Sequence, residues 1–552
     1  MLRRESGGVF FMKHRLLNIG VLTVLISSTI GGIVASKVLT EEQVISEQMR
    51  GFSSVLAAIE DNYVEKISTQ RVVTGAINGL LNSLDPHSNF LDEDAYSSLQ
   101  EEQHGSFYGL GITIQTINGI LTVISPIEGT PAFRAGLRAG DVISEIEGEP
   151  TKGQPTNLVL KKLRGPKGTK VTITVEREGF EGPIHFTLVR DEIPVNSISY
   201  SFLVRSDVGY VRIKNFTETT ADELEQALKS LREKHMKYLV LDLRFNTGGL
   251  LDQAIKVSDM FLEKGAVVVS TKGRISESNT TYRCSEENGY ENVPLVVLVN
   301  RSSASASEIV AGAIQDHDRG VIVGTTTWGK GLVQSLYRLG SSTALALTTA
   351  RYYTPSGRLI QRDYSKSFYD YYYTDIGVDE NIESREKAYT DTGREVFGGG
   401  GITPDEKVEA PQPSRFMDLL NSEYAFFNFA KRFTATDERK VQAADVKTGA
   451  PSPKLILIDR NFEVNDRILG EFQEQLRKGK IEFSDADFTQ SLPQIRAQIR
   501  QEVFSALWGS EEGYKIALTR DSQLLKALDI LPKAEALLRQ RKEKNAKLVT
   551  QN

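Results

Sequence analysis

Between residues 193 and 360, short apolar runs alternate with helical segments, and this alternation restricts the possible folds more than any other feature of the sequence. YLVLDLR (238–244), VPLVVLVN (293–300) and RGVIVG (319–324) are apolar over most of their length, as strands are when both faces of their sheet are covered. ADELEQALKSLREKH (221–235) has the periodicity of an amphipathic helix instead. Strands that alternate with helices predict an α/β fold whose sheet is covered on at least one face.

The 552 residues suffice for several domains, and changes of pattern along the chain predict five segments. These are a signal peptide or membrane anchor (1–40), an N-terminal helical segment (41–104), a β-rich domain (105–192), the α/β core (193–410) and a C-terminal helical region (411–552). In the last region, the spacing of apolar residues in QIRAQIRQEVFSALW (494–508) indicates packing or oligomerisation. The tyrosine-rich stretch 363–395 is predicted as loop, and the basic tail 539–547 as a solvated surface.

An uncharged stretch of 21 residues, LLNIGVLTVLISSTIGGIVAS (16–36), has about the length needed to cross a hydrocarbon core. Basic residues precede it and Glu41 and Glu42 follow it, so we expect the basic side in the cytoplasm and the rest of the chain outside. The stretch is either a signal peptide cleaved near Ala35 or an uncleaved anchor. In both cases the protein is expected to be exported, at the periplasmic or extracytoplasmic face of the cytoplasmic membrane.

Charge and the scarcity of ligating side chains exclude several kinds of partner. A formal net charge of −6 argues against a general nucleic-acid binder. The single cysteine, Cys284, excludes an intrachain disulfide framework and a Cys-rich metal site. His87 lies in SLDPHSNFLD (83–92) without a second ligand at metal spacing, so we interpret this segment as a structural turn. No metal or cofactor is predicted.

The β-rich segment 105–192 contains a glycine-rich turn just before a strand, GLGI (109–112). Such a turn directs backbone N–H groups into one space that can hold a carboxylate, and the strand beside it can pair with an incoming peptide. The segment resembles a PDZ domain, with GLGI as its carboxylate-binding loop and GLRAGDVI (136–143) as its second signature. A small β domain that only packs is the alternative. The expected binding residues are Gly109, Leu110, Gly111 and Ile112.

GTTTWGKGLVQ (324–334) nearly matches the phosphate-binding loop G-x-x-x-x-G-K-[ST], but Gly331 stands where the Mg²⁺-binding hydroxyl is required. A phosphate loop also leads into a helix, whose N-terminus faces the phosphates. The residues after Lys330, GLVQSLYRLG and STALALTTARYY, alternate like paired strands instead. Nucleotide binding is therefore not expected, and Lys330 is available for other chemistry.

NRSSASASEIVAGA (300–313) leads from a buried strand into a helix through small residues, which lets a hydroxyl and the backbone approach a substrate closely. By itself it indicates only a serine-rich helix N-cap. A serine nucleophile needs a base, however, and a lysine can act as one only where burial keeps its amine neutral. Lys330 lies in a loop of small and apolar residues. Gln334 is a neutral partner that could orient its amine, because residues four apart share a face in a strand or a helix.

Several blocks of this sequence resemble those of the carboxyl-terminal processing, or tail-specific, proteases. The blocks are SASASE (303–308) with the lysine and glutamine that follow it, DLRFNTGG (242–249), GGITPD (400–405) and SLDPHS (83–88). They occur in the family's order and extend over roughly residues 50 to 410. The resemblance implies a crotonase-like α/β core with an inserted PDZ domain, and a serine endopeptidase that cuts proteins near their C-termini.

The resemblance also implies the roles of individual residues. Ser305 is the expected nucleophile, since the family's spacing of 25 residues to Lys330 selects it over Ser303 and Ser307. Lys330 is then the general base, and Gln334 orients it.

The expected oxyanion donors are the backbone N–H groups of Ala306 and Gly248, with Gly249 as the alternative to Gly248. Arg164 matches a basic PDZ residue that links ligand occupancy to catalytic alignment. The expected partners are protein substrates with exposed C-termini, and the terminal helices of the family suggest a possible homo-oligomer.

Two other interpretations remain at this point. In the first, a PDZ-containing protease uses a Ser–His–Asp site built from Ser305, His317 and either Asp318 or Asp242. In the second, the chain is an inactive PDZ scaffold that keeps the protease fold.

Overall fold

The computed structural model describes residues 43–117, 119–177, 180–365, 368–373, 385–435 and 458–551. The stretch 16–36, which predicts the signal peptide or anchor, lies outside these residues. Within them, no helix is long and apolar enough to cross a membrane. The chain divides into two units, Met1–Leu84 and Asp85–Asn552, which are described separately.

The described part of the first unit is helical, as the sequence predicts. Helix α1 covers residues 43–62 and α2 covers Thr69–Asn82. Ser68 caps α2, because its side-chain oxygen accepts the backbone N–H of Arg71.

The second unit begins with β1 (Asn89–Leu91) and α3 (Glu93–His104), and a β-rich domain follows. The elements of this domain are β2 (Ser106–Gly109), β3 (Ile112–Ile117), β4 (Ile120–Pro126), α4 (Pro131–Arg134), β5 (Val142–Ile146), β6 (Glu149–Pro150), α5 (Thr156–Leu163), β7 (Lys170–Glu176), β8 (Ile184–Val189) and β9 (Asp191–Pro194). Strands β3, β4, β5, β7 and β8 form a sheet in that order, β6 pairs with β5, and β2 pairs with β9. Helix α5 is not predicted from the sequence, because a helix of eight residues is too short for a clear periodic pattern of apolar residues.

The α/β core follows in the order that the sequence predicts. Its elements are β10 (Ile198–Arg205), β11 (Val208–Ile213), α6 (Thr220–Glu233), β12 (Tyr238–Asp242), α7 (Leu251–Asp259), β13 (Val267–Gly273), β14 (Thr280–Arg283), β15 (Leu295–Val299), α8 (Ala306–Asp316), β16 (Gly320–Gly324), β17 (Leu332–Arg338), β18 (Ala344–Tyr353), α9 (Phe368–Tyr373), β19 (Lys387–Tyr389), β20 (Glu395–Phe397) and β21 (Glu406–Lys407).

The central sheet of the core has the strand order β10-β11-β12-β15-β16-β21, and its strands run parallel except for β10. Alternate residues of these strands enter two hydrophobic cores. Leu239 and Leu241 pack with α6, α7 and α8 on one face, whereas Val240 and Leu298 pack with C-terminal helices on the other. The predicted α/β fold is confirmed, with its sheet covered on both faces.

A second sheet carries the segment that follows Lys330. Its order is β1-β18-β13-β14, and β17 pairs antiparallel with β18. The residues after Lys330 are therefore paired strands, as predicted, and not the helix of a phosphate loop. A Cβ at Gly331 would lie 2.8 Å from the backbone nitrogen of Gln361, so the residue that breaks the phosphate-loop motif has to be a glycine here.

The C-terminal region is helical and packs as two groups. Its helices are α10 (Arg415–Ser422), α11 (Ala425–Ala435), α12 (Asp466–Lys478), α13 (Asp485–Gln490), α14 (Leu492–Trp508), α15 (Ser510–Leu518), α16 (Ser522–Asp529) and α17 (Leu531–Gln551). Helices α10 to α14 enclose a hydrophobic core of their own, so α14 packs within this chain. Helices α15 to α17 cover the second face of the central sheet.

Two further predictions are wrong in part. The stretch 363–395, predicted as loop, contains α9 and β19 among its described residues, and Tyr371 of α9 is buried. The basic tail 539–547, predicted as a solvated surface, belongs to α17. Arg541 in that tail is buried and forms an ion pair with Glu263 at 3.3 Å.

Candidate active site

Ser305 lies at the sharp turn between β15 and α8. Its backbone has φ 54° and ψ −114°, a strained conformation that is found preferentially at functional sites. The flanking hydroxyls are engaged, since Ser303 Oγ donates to the carbonyl of Leu243 at 2.8 Å and Ser307 Oγ to that of Asn246 at 2.9 Å. Both flanking serines are buried, whereas Ser305 is partly exposed. Among Ser303, Ser305 and Ser307, only Ser305 is therefore accessible.

The carboxylate of Glu308, in the first turn of α8, connects the serine turn to the lysine loop. Its Oε2 atom accepts the backbone N–H of Ser305 at 2.8 Å and that of Lys330 at 2.9 Å. Its Oε1 atom accepts the hydroxyl of Thr327 at 2.6 Å and the N–H of Gly329 at 2.7 Å. Complete burial raises the pKa of Glu308 to about 7, although these hydrogen bonds favour the ionised form. One side chain therefore holds the two backbone segments that carry the predicted nucleophile and base.

Lys330 lies in the loop between β16 and β17. Burial lowers the pKa of its amine, while the negative charges of Glu308 and Asp85 oppose that shift. Tyr352 supports the same loop, because its phenol donates to the carbonyl of Ser305 at 3.2 Å and also contacts the carbonyl of Lys330. A lowered pKa increases the fraction of neutral amine, which is the form that can accept a proton.

Gln334 lies in β17, opposite a β-bulge in β18, where Thr349 is the extra residue between the partners of Val333 and Gln334. Its side-chain amide donates to Thr348 Oγ1 at 3.2 Å. Within the described residues, no hydrogen bond joins the side chains of Ser305, Lys330 and Gln334 to one another. Lys330 lies before β17, which begins at Leu332, so strand alternation alone does not place Lys330 and Gln334 on one face, and the orienting role of Gln334 stays a prediction.

Gly248 packs directly against the serine turn. A Cβ at this position would lie 2.7 Å from Ser305 Cβ and 3.1 Å from the backbone nitrogen of Ala306, and the φ of 106° also favours glycine. The N–H of Gly248 itself donates to Asn246 Oδ1 at 2.8 Å. Gly249, the alternative donor, follows in the same loop with φ 142°. The predicted oxyanion region thus consists of Ala306 and two adjacent glycines beside Ser305.

The turn that contains His87 lies near Lys330. Asp85 Oδ1 accepts the backbone N–H groups of His87 and Ser88, each at 2.8 Å, which closes the turn. The Nε2 atom of His87 makes a hydrogen bond of 2.8 Å with the hydroxyl of Tyr371. Burial lowers the pKa of His87 to about 4, and the positive charge of Lys330 acts in the same direction. This imidazole is therefore neutral at physiological pH.

His317, the candidate base of a Ser–His–Asp site, lies at the opposite end of α8 from Ser305. The eleven residues of the helix correspond to a separation of about 16 Å. His317 Nδ1 makes a hydrogen bond of 2.7 Å with Asp391 Oδ2, and Nε2 makes one of 2.7 Å with the carbonyl of Val267. Burial opposes a charge on His317, but these two hydrogen bonds raise its pKa above the usual value. The fold does not bring His317 to Ser305.

The two acids considered for that site are also engaged elsewhere. Asp318 accepts a hydrogen bond from Arg394 Nε at 2.5 Å. Asp242 accepts one from Arg244 Nη2 at 2.6 Å. Each carboxylate thus pairs with a buried or half-buried arginine.

A cavity of about 240 Å³ in the β-rich domain contains the predicted carboxylate-binding loop. Arg164 lines the same cavity, where its Nη1 pairs with Glu101 Oε2 at 2.6 Å and its guanidinium lies 4.6 Å from the ring centre of Phe107. Leu160 and Leu163 of α5 supply an apolar wall. The residues of the predicted loop that line the cavity are Gly109, Leu110, Gly111 and Ile112.

Comparison with known proteins gives this arrangement a family. The model of peptidase family S41 matches residues 207–367, a PDZ-domain model matches residues 122–177, and the model of the activating protease CtpB N-terminal domain matches residues 27–95. The carboxy-terminal-processing protease of Bartonella bacilliformis is 40% identical over 402 residues, which are 72% of this chain and 83% of that protein. The chain belongs to the carboxy-terminal-processing proteases of peptidase family S41.

Further members of the family are similar to this chain. CtpA of Bacillus subtilis is 31% identical over 437 residues, which are 76% of this chain and 88% of that protein. The structure of the photosystem II D1 C-terminal processing protease has 28% identity and a TM-score of 0.34, covering 65% of this chain and 92% of its own. The PDZ domain of the carboxy-terminal protease of Vibrio cholerae, solved with a peptide, has 33% identity and a TM-score of 0.15, covering 16% of this chain and 97% of its own. The family resemblance inferred from the sequence blocks is confirmed, as are the serine-type protease class and the PDZ domain.

Two residues that support the site in this S41 core, Glu308 and Tyr352, are not among the site residues predicted from the sequence. Glu308 has a detectable signal, since a serine followed three residues later by glutamate at a helix start is a capping-box pattern. Tyr352 has none, because only the pairing of β18 with β17 brings its hydroxyl to the carbonyls of Ser305 and Lys330.

Proposed function

We propose that this S41 protease is an exported serine endopeptidase that recognises protein C-terminal tails through its PDZ domain and cleaves near them with Ser305, Lys330 and Gln334. The observation that supports this most strongly is the convergence of the Ser305 and Lys330 amides on Glu308, since it keeps the two segments side by side. The strained, partly exposed Ser305 and the lowered pKa of Lys330 agree with the same roles.

In the proposed reaction, the neutral amine of Lys330 accepts the hydroxyl proton of Ser305 while Oγ attacks the carbonyl carbon of the scissile peptide bond. The N–H group of Ala306 and that of Gly249, or of Gly248 once it is released from Asn246 Oδ1, stabilise the negative charge on the carbonyl oxygen. The Lys330 ammonium then gives its proton to the leaving amine as the C–N bond breaks. Water, deprotonated by Lys330, attacks the acyl-serine, and the released Ser305 takes the proton back.

Tail recognition begins in the PDZ cavity, where the loop 109–112 binds the free carboxylate and the apolar wall accepts the last side chain. Arg164 lines this cavity and pairs with Glu101 of α3, a helix that directly follows β1 on the sheet of β18. In this proposal, the carboxylate of a bound tail competes with Glu101 for Arg164. Binding of a tail in the cavity thereby affects α3 and, through β1, the sheet beside Lys330.

The assigned residues are tested with purified parent, Ser305→Ala and Lys330→Ala proteins and an unstructured peptide that ends in a free carboxylate. The parent cleaves the peptide, and each variant loses activity by on the order of 10³-fold or more. His317→Ala cleaves like the parent. If both alanine variants cleave like the parent, the site is wrong, and loss of activity in a folded His317→Ala protein supports the Ser–His–Asp alternative.

Tail recognition is tested with the same peptide carrying a C-terminal amide, which removes the carboxylate that the PDZ loop binds. We expect the parent to cleave the amidated peptide more slowly than the peptide with a free carboxylate. The difference between the two cleavage rates is expected to be smaller in Arg164→Ala. The matched control is Arg138→Ala, an exposed arginine of the same domain outside the cavity. Equal cleavage of both peptides by the parent contradicts the proposal.

Export is proposed from the sequence of residues 16–36 and is tested by fusing residues 1–40 to alkaline phosphatase, which is active only outside the cytoplasm. The fusion is expected to be active in cells, and deletion of residues 16–36 is expected to abolish that activity. An inactive fusion contradicts export.

A further inference from the structure

The buried end of β12 is connected to the C-terminal helices through Arg244. Its Nε and Nη2 atoms donate to the carboxylate of Asp242, and its Nη1 atom donates to Asp521 Oδ1 at 3.0 Å and to Gln523 Oε1 at 2.9 Å. Asp521 is also the N-cap of α16, because it accepts the backbone N–H groups of Gln523 and Leu524. Arg244 is 8% exposed, so these contacts are largely shielded from water, where a charged group depends on its partners.

A second connection reaches the same carboxylate from α15. The hydroxyl of Tyr210 donates to Asp242 Oδ2 at 2.6 Å and is 2.8 Å from the hydroxyl of Tyr514. Arg212 Nη1 donates to the Tyr514 hydroxyl at 2.9 Å. Helices α15 and α16, which carry no catalytic motif, therefore both contribute side chains to the network around Asp242.

The loop after Arg244 carries this network to the serine turn. The backbone carbonyl of Asn246 accepts the N–H of Ala304 at 3.0 Å. Gly248, later in the same loop, lies against Ser305. We call residues 243–249 the oxyanion loop.

The conformation of the oxyanion loop needs support from outside. Phe245, directly after Arg244, has φ 61° and is 65% exposed, so its own packing does not hold this unfavourable backbone. The backbone is held by hydrogen bonds instead: the N–H of Phe245 donates to Asn300 Oδ1 at 2.9 Å, Arg244 is held by Asp242 and Asp521 on one side, and Asn246 and Gly248 contact the serine turn on the other.

We infer that Asp521 is a positioning residue for the hydrolytic site, which holds Arg244 and, through it, the oxyanion loop against Ser305. This inference rests on the proposed function. The C-terminal helical region is then part of the support of the active site, in addition to any role in assembly.

The test replaces Asp521 with asparagine. Asparagine caps a helix about as well as aspartate, so Asp521→Asn removes the charge that faces Arg244 while the start of α16 is kept. The matched control is Asp529→Asn, the same change at an exposed position at the other end of the same helix. We expect Asp521→Asn to lower kcat about tenfold or more while KM for the tail peptide and the melting temperature stay close to those of Asp529→Asn. Equal kcat values for the two variants overturn the inference.

Two further variants keep the test decisive. If Asp521 acts through Arg244, the double variant Asp521→Asn with Arg244→Gln loses no more activity than Arg244→Gln alone, whereas additive losses overturn the inference. If Asp521→Asn does not fold, Tyr514→Phe removes only the hydroxyl that reaches Arg212 and Tyr210. A kcat equal to that of the parent then counts against the network.

The rate at which a fluorophosphonate labels Ser305 separates this inference from the proposed function. A parent protein that does not cleave the tail peptide contradicts the proposed function. The labelling rate still compares Asp521→Asn with Asp529→Asn in that case, and equal rates contradict the positioning role.

Discussion

The backbone amides of Ser305 and Lys330 donate to the same atom, Oε2 of Glu308, at 2.8 and 2.9 Å. Neither functional side chain takes part in this contact. The spacing of the proposed nucleophile and base is therefore set by the main chain and one buried carboxylate, which leaves the hydroxyl and the amine out of this contact.

Replacing Glu308 by glutamine tests this arrangement. The amide nitrogen of Glu308→Gln cannot accept a hydrogen bond, so donors among Ser305, Thr327, Gly329 and Lys330 lose their acceptor in a buried site, at a cost of about 1–3 kcal/mol each. We expect a lower melting temperature and a kcat reduced by on the order of a hundredfold.

The control for this substitution is Glu502→Gln in α14, where burial also raises the pKa of the carboxyl. The control is expected to retain the kcat of the parent. A Glu308→Gln protein with the same kcat as the parent contradicts the role of Glu308.

Replacing Gly248 by alanine tests how closely the oxyanion loop approaches the nucleophile. The added Cβ lies 2.7 Å from Ser305 Cβ, so the loop has to move away from the serine and the kcat of Gly248→Ala is expected to fall by about a hundredfold, the size of effect seen when an oxyanion donor is lost. Gly340→Ala has the same backbone strain, at φ 104°, in open space and is expected to keep its activity. A Gly248→Ala protein with the same kcat as Gly340→Ala contradicts this close approach.

Sequence patterns predict the core because buried strands and an amphipathic helix are periodic over short ranges. The proposed reacting residues Ser305 and Lys330 follow from short blocks that resemble those of the family. The contact between Arg244 and Asp521 joins residues 277 positions apart, and no local pattern specifies it. The β-bulge at Thr349, opposite Gln334, is equally undetectable in the sequence, because it depends on the register between β17 and β18.

The stability contributed by His317 is expected to depend on pH. Its hydrogen bonds to Asp391 and the carbonyl of Val267 raise its pKa in the folded protein above the usual value of 6.5. Because the folded state binds this proton more tightly, the contribution is fully present below about pH 6 and is lost as the pH rises through the raised value. The difference in melting temperature between the parent and His317→Gln is therefore larger at pH 5.5 than at pH 9, and a difference that grows with pH contradicts this assignment.

The central claim, that a neutral Lys330 activates Ser305, is tested most directly by the pH dependence of Ser305 labelling with a fluorophosphonate. Because burial lowers the pKa of Lys330, the labelling rate of the parent is predicted to rise with pH and to level off below the usual lysine value of 10.5. Lys330→Arg, whose side chain stays charged, is predicted to react slowly at every pH. A Lys330→Arg protein that is labelled as fast as the parent, with the same pH profile, would contradict the account.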